Sequence, residues 1–579
     1  MKSEVTGSLS GGGLESCQAE GMKSRQTNGK EEEKWSLTGR WSSILLLSIL
    51  TLACLLPFLD KAFNIDDPLF IWSAQHIQTD PVNFYGFNVN WEGREACMAD
   101  MNQNPPLTAY YLALVGSLFG WSEIALHAGF LVPALALVLG TYFLARSLGA
   151  APLVSGLATI STPVFLLSST SVMCDTMMTA LWVWSVFCWI EGLKRNKPLL
   201  MLGFAGILIT ACCLTKYFGI SLIPLLLIYS VIERRAMGTW LVYLLIPVLF
   251  LGCYQWLTHK LYGRGLLLDA AAYATMKRVG GDWLSKIVSG LAFTGGGMIV
   301  LLAAAPLLWG KRMLLAGIAA VAIAMGLLIG LKELLPFPVI EAGRIHWLFV
   351  VQAALFIVAG ASILLLAALD LIWRKSTISV LLFLWVLGVF IFTSIVNWTV
   401  SGRNILPMLP AVVLLLVRRL ELRCLLHKHG ILWRLILPFC GSLLIAMLVT
   451  WADCRLANSA RATAGVLKQN IGAEAGTMWF EGHWGFQYYM EKRGGKAIDK
   501  NNLHLVSNDA IIVPLGNSFL FSPPSAQTTP WTIYDSAVPD WLTTMSADAG
   551  AGYYSASWGP LPFVFSRVPP DRYLVFHVK

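Results

Sequence analysis

The sequence predicts a polytopic all-α membrane domain followed by a small α/β domain at its C-terminal end. Three observations predict it. Only 13% of the 579 residues are charged, against about 25% in a soluble globular domain, and the mean hydropathy is +0.64. Apolar runs close to the roughly 20 residues that cross a bilayer recur along most of the chain. Beyond about residue 452 those runs stop, and strand-like and helix-like segments alternate. The net charge of +9 reads mainly as topology in such a chain, and no nucleic-acid partner is expected.

Residues 1–40 are rich in Gly, Ser, Glu and Lys and are expected to form a disordered cytoplasmic tail. The apolar run from roughly Ser43 to Leu59 lacks a small-residue cleavage site, so it reads as a retained first span rather than a signal peptide. The segment 60–121 is polar and aromatic, with Phe84, Tyr85, Phe87 and Trp91, and with Lys61 and Arg94 as its basic residues before Asn104-Pro105-Pro106-Leu107. The amphipathic Tyr110–Phe119 is too short to cross and is expected along the membrane surface. Further spans are expected at about 122–145, 151–169, 176–193, 198–214, 218–232, 239–257, 286–308, 313–331, 346–370, 377–396, 404–420 and 432–452, which makes about thirteen with the first. Residues 41–452 form the membrane domain in this reading, and 453–579 a soluble domain.

The basic residues fall in alternate connections: Arg146; Lys194, Arg195 and Lys197; Arg234 and Arg235; Lys311 and Arg312; Arg374 and Lys375; Arg418, Arg419, Arg423 and Lys428. The positive-inside rule puts these loops and the N-terminal tail in the cytoplasm. An odd number of spans then leaves the C-terminal domain outside. The outward connections are 60–121, the turn at Cys174-Asp175, Leu214-Thr215-Lys216-Tyr217, 258–285, 332–345 and 397–404. The tail reads as a helix at about Arg455–Asn470, a strand near Met478–Phe480, a helix near Trp484–Glu491 and a strand at Ala510–Pro514. Later strands follow near Trp531–Tyr534, Phe563–Ser566 and Tyr573–His577. The 11 cysteines show no zinc-type spacing, and Cys54, Cys188, Cys212, Cys213, Cys253 and Cys440 lie inside apolar runs as small hydrophobes. Cys97 and Cys454 fall in outward segments and Cys174 near one; a disulfide among them is open, with a pairing that sequence does not give.

Candidate chemistry gathers on the outward set. Asp66 and Asp67, in Phe63-Asn64-Ile65-Asp66-Asp67-Pro68, are either solvated loop acids or the carboxylates of a membrane-surface enzyme, one of them a general base. Adjacent acids point apart on any regular element, so the two would hold different partners. Asp175 either caps the helix that follows it or serves the site as a margin acid that needs a partner. Lys216 is a helix-breaking loop lysine or a cation for a lipid phosphate, with Tyr217 beside it. Arg403 is an interfacial anchor or a bidentate phosphate ligand. Lys260, Arg264, Lys277, Arg278 and Arg344 are further outward cations, read mostly as solvated. There is no Walker-type loop, no histidine pair at haem or zinc spacing and no nucleophile elbow. His483, in Trp479-Phe480-Glu481-Gly482-His483-Trp484, reads as a domain-core residue more readily than a catalytic one. The aromatics of the tail either dock on the membrane domain or cover its cleft.

The order of these motifs carries a resemblance. An acidic pair follows the first span; Asn104 precedes Pro-Pro-Leu; Met173-Cys174-Asp175-Thr176 opens a later span; Leu214-Thr215-Lys216 follows; and an Arg403-containing loop leads into Leu406-Pro407-Met408-Leu409-Pro410. Over about residues 43–420 the chain resembles the GT-C fold glycosyltransferases of the protein O-mannosyltransferase and lipid A aminoarabinose transferase superfamily, of glycosyltransferase family 39 type. The resemblance implies a multi-pass enzyme of the plasma membrane, a bacterial inner membrane in this reading. It would move a sugar from a polyprenyl-phosphate carrier, with inversion, to a protein, lipid A or other envelope-glycan acceptor at the outer face. Asp66 matches the family's base or acceptor-orienting acid, and Asp67 stands where relatives often have Glu. Asp175 matches the family's acid at the outer end of a later span, and Lys216 and Arg403 match positions expected to face the carrier phosphate. Asn104 departs from the His or Lys that relatives commonly carry there, and supplies no charge. No metal or other cofactor is demanded, although paired acids are compatible with a divalent ion. The rival reading is a transporter or flippase of lipid-linked sugars. Transporters place polar groups near the bilayer midplane, whereas here they cluster at one face.

Overall fold

A computed structural model of the chain describes residues 32–194, 199–275, 283–332, 337–341, 343–423, 431–472, 474–522 and 527–579. Most of the expected disordered tail lies outside the described residues, as do Arg195, Lys197, Lys277, Arg278 and Lys428. Among the described residues nine helices are long and apolar enough to cross a membrane: Gly39–Phe58, Glu123–Ser147, Cys174–Lys194, Tyr217–Arg234, Leu241–Tyr262, Lys311–Gly330, Trp347–Arg374, Thr377–Val396 and Arg434–Asn470.

The other four expected spans are helical but short or broken, so the expectation of about thirteen counts apolar segments rather than full-length spans. The segment 151–169 is the pair Pro152–Ile160 and Pro163–Ser169, bent by 66°. Pro163 has no N–H to give and disfavours helical geometry at Thr162. The segment 198–214 is Leu199–Thr215, of 17 residues. The segment 286–308 is cut into Trp283–Gly297, Val300–Ala303 and Ala305–Leu308, where Gly295-Gly296-Gly297 and Pro306 weaken the helix. Pro407 and Pro410 divide 404–420 into Gly402–Ile405, Leu406–Met408 and Leu409–Leu422.

Two helices shape the side that carries the acidic pair. Leu107–Phe119 is the expected short amphipathic one. Asp67–Ile77, which the apolar pattern does not announce, begins at the acidic pair with Pro68 in its first turn and packs on Leu107–Phe119. The helix expected at Arg455–Asn470 is not separate. It is the end of the 40-residue helix Ile431–Asn470, continuous with the last span because no glycine or proline interrupts 451–464.

The tail holds a five-stranded sheet in the order Lys496–Ala497, Met478–Phe480, Ala510–Pro514, Asp571–Val578, Thr528–Ser536. Met478–Phe480 runs parallel to both its neighbours, and Asp571–Val578 antiparallel to both of its own, with Val575 opposite Ile512 and Thr532. Ala510–Pro514 is buried along its whole length, as a central strand with both faces covered should be. The register slips between Val575 and Phe576 opposite Pro530, which has no N–H for the ladder. Val564–Phe565 leaves this sheet and pairs with Leu542–Thr543.

The tail does not keep a core to itself. Phe486, Tyr489, Tyr553 and Phe563 bury into one apolar cluster with Phe63, Phe70, Phe84 and Trp91 of the segment after the first span. Two glycines allow the approach. A side chain at Gly485 would collide with the carbonyl oxygen of Phe63, and one at Gly402 with the ring of Tyr553. Lys61, a loop cation by sequence, is fully buried and paired with Asp453 at 2.6 Å. Arg418, counted above among cytoplasmic cations, is also buried and grips Asp370 through Nε and Nη2 at 3.1 and 3.0 Å.

Candidate active site

The turn before Asp66 is fixed by its neighbour. Asp67 is fully buried; its Oδ2 accepts from the Asn64 N–H at 2.8 Å and its Oδ1 from the Val172 N–H at 3.0 Å. One carboxylate thereby ties the acidic loop to the turn that leads into Asp175. Burial pushes the Asp67 carboxyl up to about 7, against the opposing pull of those N–H groups and of Lys61. Ile65, just before Asp66, has φ of 48°, a left-handed conformation that a β-branched residue adopts only where its surroundings impose it.

Asp66 itself stays partly exposed, with 31% of its side chain open, and its Oδ2 accepts from Arg403 Nη1 at 3.0 Å. Asp175, with 2% of its side chain open, pairs through Oδ1 with Lys216 Nζ at 2.5 Å, and Lys216 also donates to Asn404 Oδ1 at 2.7 Å. Burial acts against the charge of Arg403, but Asp66 and Asp175 outweigh it and hold the guanidinium above its ordinary value. Two acids and two cations from four distant stretches of chain therefore alternate on one floor. Among the described residues Asp175 Oδ2 and Arg403 Nε are buried without a hydrogen-bond partner, so each has capacity left for a bound molecule.

Asn104 and Tyr217 join the same cavity. The Asn104 carbonyl accepts from Tyr85 Oη at 2.8 Å, its side chain is 3.5 Å from Cys174 Sγ, and Tyr217 Oη meets Tyr254 Oη at 2.9 Å. The cavity has a volume of about 800 Å³ and is lined by Asp66, Asn104, Asp175, Lys216, Tyr217 and Arg403. Asp67 is the one predicted site residue outside its lining; it positions the loop. On its membrane side Phe218, Ile220, Leu225, Leu384, Val389 and Phe392 give the cavity an apolar extension between Tyr217–Arg234 and Thr377–Val396. Lys260, Arg264 and Arg344 do not line it; Arg264 pairs with Asp100 and Asp269.

Sequence reasoning missed the second layer. Tyr554 lies under Arg403, with the guanidinium carbon 5.4 Å from its ring centroid, and its hydroxyl donates to Asp453 Oδ2 at 2.8 Å. Asp453 also accepts from Lys61 at 2.6 Å and from Thr544 at 2.6 Å. The loop carrying Arg403 is fastened to the tail by Gly402 N–H to Tyr553 O at 2.8 Å and by Ala556 N–H to Val400 O at 2.8 Å. No local motif marks these contacts; the paired tyrosines, Tyr553-Tyr554, were the available signal. Cys97, Cys174 and Cys454 are all free thiols, so the disulfide left open above does not form. Among the described residues no group of three or more His, Cys, Asp or Glu side chains could hold a metal ion.

Residues 103–259 match the profile of the dolichyl-phosphate-mannose-protein mannosyltransferase family. No curated protein sequence matches the chain. Among solved structures, an Archaeoglobus fulgidus oligosaccharyltransferase tethered to an acceptor peptide containing the NVT sequon is similar at a TM-score of 0.50 and 14% identity, covering 80% of this chain and 64% of that one. ArnT from Cupriavidus metallidurans bound to undecaprenyl phosphate is similar at a TM-score of 0.46 and 15% identity, covering 83% of this chain and 94% of that one. Archaeoglobus fulgidus AglB in complex with an inhibitory peptide and dolichol-phosphate follows at 0.48 and 11%, covering 82% and 69%. The chain has the fold of the GT-C glycosyltransferases. Its family match lies within residues 103–259, inside the stretch that carries the ordered motifs.

Proposed function

We propose that this chain is an inverting glycosyltransferase that moves a sugar from a polyprenyl-phosphate carrier to an acceptor at the extracytoplasmic face of the membrane. One observation carries the reading: a single cavity joins the Asp66–Arg403 and Asp175–Lys216 pairs to an apolar extension between two membrane-spanning helices. A phosphate with a long hydrocarbon tail needs both halves. Soluble sugar nucleotides need neither the apolar half nor a site at the membrane.

The chemistry follows from the groups present. An acceptor hydroxyl attacks C1 of the sugar from the face opposite the phosphate. The C1–O(phosphate) bond breaks, and Asp66 takes the hydroxyl proton. The polyprenyl phosphate leaves with the bonding electrons. Lys216 and Arg403 stand where they can take up the charge that builds on it, the arrangement that lowers such barriers most. Asp175 orients Lys216, and Asp67 holds the loop that presents Asp66. A divalent ion shared by Asp66 and Asp67 would have to take Asp67 away from the Asn64 and Val172 N–H groups. The cytoplasmic placement of the N-terminus, the outer placement of the tail and a bacterial inner membrane belong to this proposal.

Binding of undecaprenyl phosphate to the purified chain tests the donor side. Arg403→Ala should weaken it by roughly 10-fold or more, the worth of a charged hydrogen bond. Unchanged binding would remove the carrier from the proposal. A flippase would move lipid-linked sugar across vesicles without forming a glycosidic bond, which a transfer assay separates.

A further inference from the structure

We infer that the C-terminal domain supplies the acceptor subsite, and that the acceptor group it takes is a neutral carbohydrate. This rests on the transferase reading above and names the substrate class that the reading leaves open. The cavity that holds Asp66 is walled by Trp91 from the first outward segment and by His483, Trp484, Ser518, Phe519 and Trp558 from the tail. The rings form one contiguous surface. His483 lies 4.6 Å from Trp91, 5.3 Å from Trp484 and 5.2 Å from Phe519, and Trp484 lies 5.2 Å from Trp558, centroid to centroid.

Charge separates this wall from the floor. Among the described residues the Asp, Glu, Lys and Arg side chains lining the cavity are Asp66, Glu92, Asp175, Lys216 and Arg403, and both cations belong to the floor. Among the described residues the tail contributes no Lys, Arg, Asp or Glu to the lining. A phosphorylated acceptor would therefore meet no cation on the aromatic wall. An extended peptide brings a row of amide groups that need partners, and this wall offers rings and a few hydroxyls. A sugar ring fits both features, with an apolar C–H face for the rings and a rim of hydroxyls for the polar atoms.

His483 supplies one such polar atom. Its side chain is buried, its Nε2 is 3.2 Å from Ser518 Oγ, and its Nδ1 has no hydrogen-bond partner among the described residues. Burial lowers its pKa to about 3, which keeps the imidazole neutral and able to meet a hydroxyl. The backbone adds an independent mark. Trp484 and Phe519 hold φ of 64° and 57°, left-handed values that large side chains rarely adopt. Both of these strained residues line the cavity and both touch His483. Strain of this kind persists where the surroundings impose it and clusters at binding sites.

The test uses the full-length chain in nanodiscs with undecaprenyl phosphate added. The probes are neutral hexose and pentose trisaccharides, a phosphorylated disaccharide and a Ser/Thr-rich peptide, followed by saturation-transfer NMR. The neutral trisaccharides should bind best. Trp558→Ala should lower their affinity by about tenfold or more, as loss of an aromatic anchor does. Trp484→Gly should do the same while holding or raising the thermal midpoint, because glycine relaxes the left-handed backbone. Preferred binding of the peptide or the phosphorylated disaccharide overturns the inference, as does neutral-sugar binding that neither variant moves, or no neutral-sugar binding at all. Loss of undecaprenyl phosphate binding with neutral-sugar binding intact would instead fall on the donor reading.

Discussion

Arg403 donates to Asp66 at 3.0 Å, and the two residues are separated by most of the membrane domain in sequence. In the proposed reaction the pair gives Arg403 two duties: it orients the acid that takes the acceptor proton and it faces the phosphate that leaves. Tyr554 of the tail lies beneath the guanidinium. The floor of the cavity is therefore built by the membrane domain and finished by the C-terminal tail.

Lys216→Ala strips a buried carboxylate of its partner. Asp175 is nearly closed to solvent and its Oδ2 is already unpartnered. Leaving it charged and unpaired costs about 3–5 kcal/mol of stability. Lys216→Met combined with Asp175→Asn should restore most of the thermal midpoint while leaving undecaprenyl phosphate binding weak. A double variant that regains binding would show that Lys216 serves the fold alone.

Tyr554→Phe keeps the ring under Arg403 and removes the hydroxyl from Asp453. Loss of one hydrogen bond to a charged group should cost about 1.5–3 kcal/mol of stability with a smaller effect on transfer. Tyr554→Ala removes the ring as well and should lower kcat further. Thermal unfolding and transfer kinetics on the two variants separate the contributions.

The Asp67 and Glu481 carboxyls, both raised to about 7 by burial, set a pH dependence of stability. Each binds its proton more tightly folded than unfolded. Their contribution is full below the ordinary carboxylate range and is lost as pH rises from about 4 through about 7. The thermal midpoint should fall over that window. Glu481→Gln, whose parent carboxylate has an Oε1 unpartnered among the described residues, should flatten part of the slope.

Chelation tests the assignment of charge neutralisation to Lys216 and Arg403. Transfer measured after EDTA treatment should match transfer before it. A loss that magnesium or manganese restores would assign part of that role to a metal.

The sequence made most of this legible through spacing. Apolar runs located the nine membrane-length helices found among the described residues, and the order Asp66, Asn104, Asp175, Lys216, Arg403 predicted residues that the fold brings to one cavity. What escaped has physical reasons. Prolines and glycines broke three segments, and their effect depends on what packs around each break. Lys61 and Arg418 look like solvated loop cations because their partners, Asp453 and Asp370, lie on other helices, distant in sequence. His483 reads as a core residue from its aromatic neighbours; it is buried, yet it also borders the cavity, and only the fold shows that the tail's core abuts the site.

Sugar transfer by Asp66→Asn tests the central claim most directly. The purified variant is given a polyprenyl-phosphate-linked sugar and membrane acceptor, and formation of the glycosidic bond is followed beside binding of the carrier. The account predicts that transfer falls by about 10²–10⁴-fold, the usual contribution of a general base, while the carrier still binds. Transfer at the parent rate would contradict it.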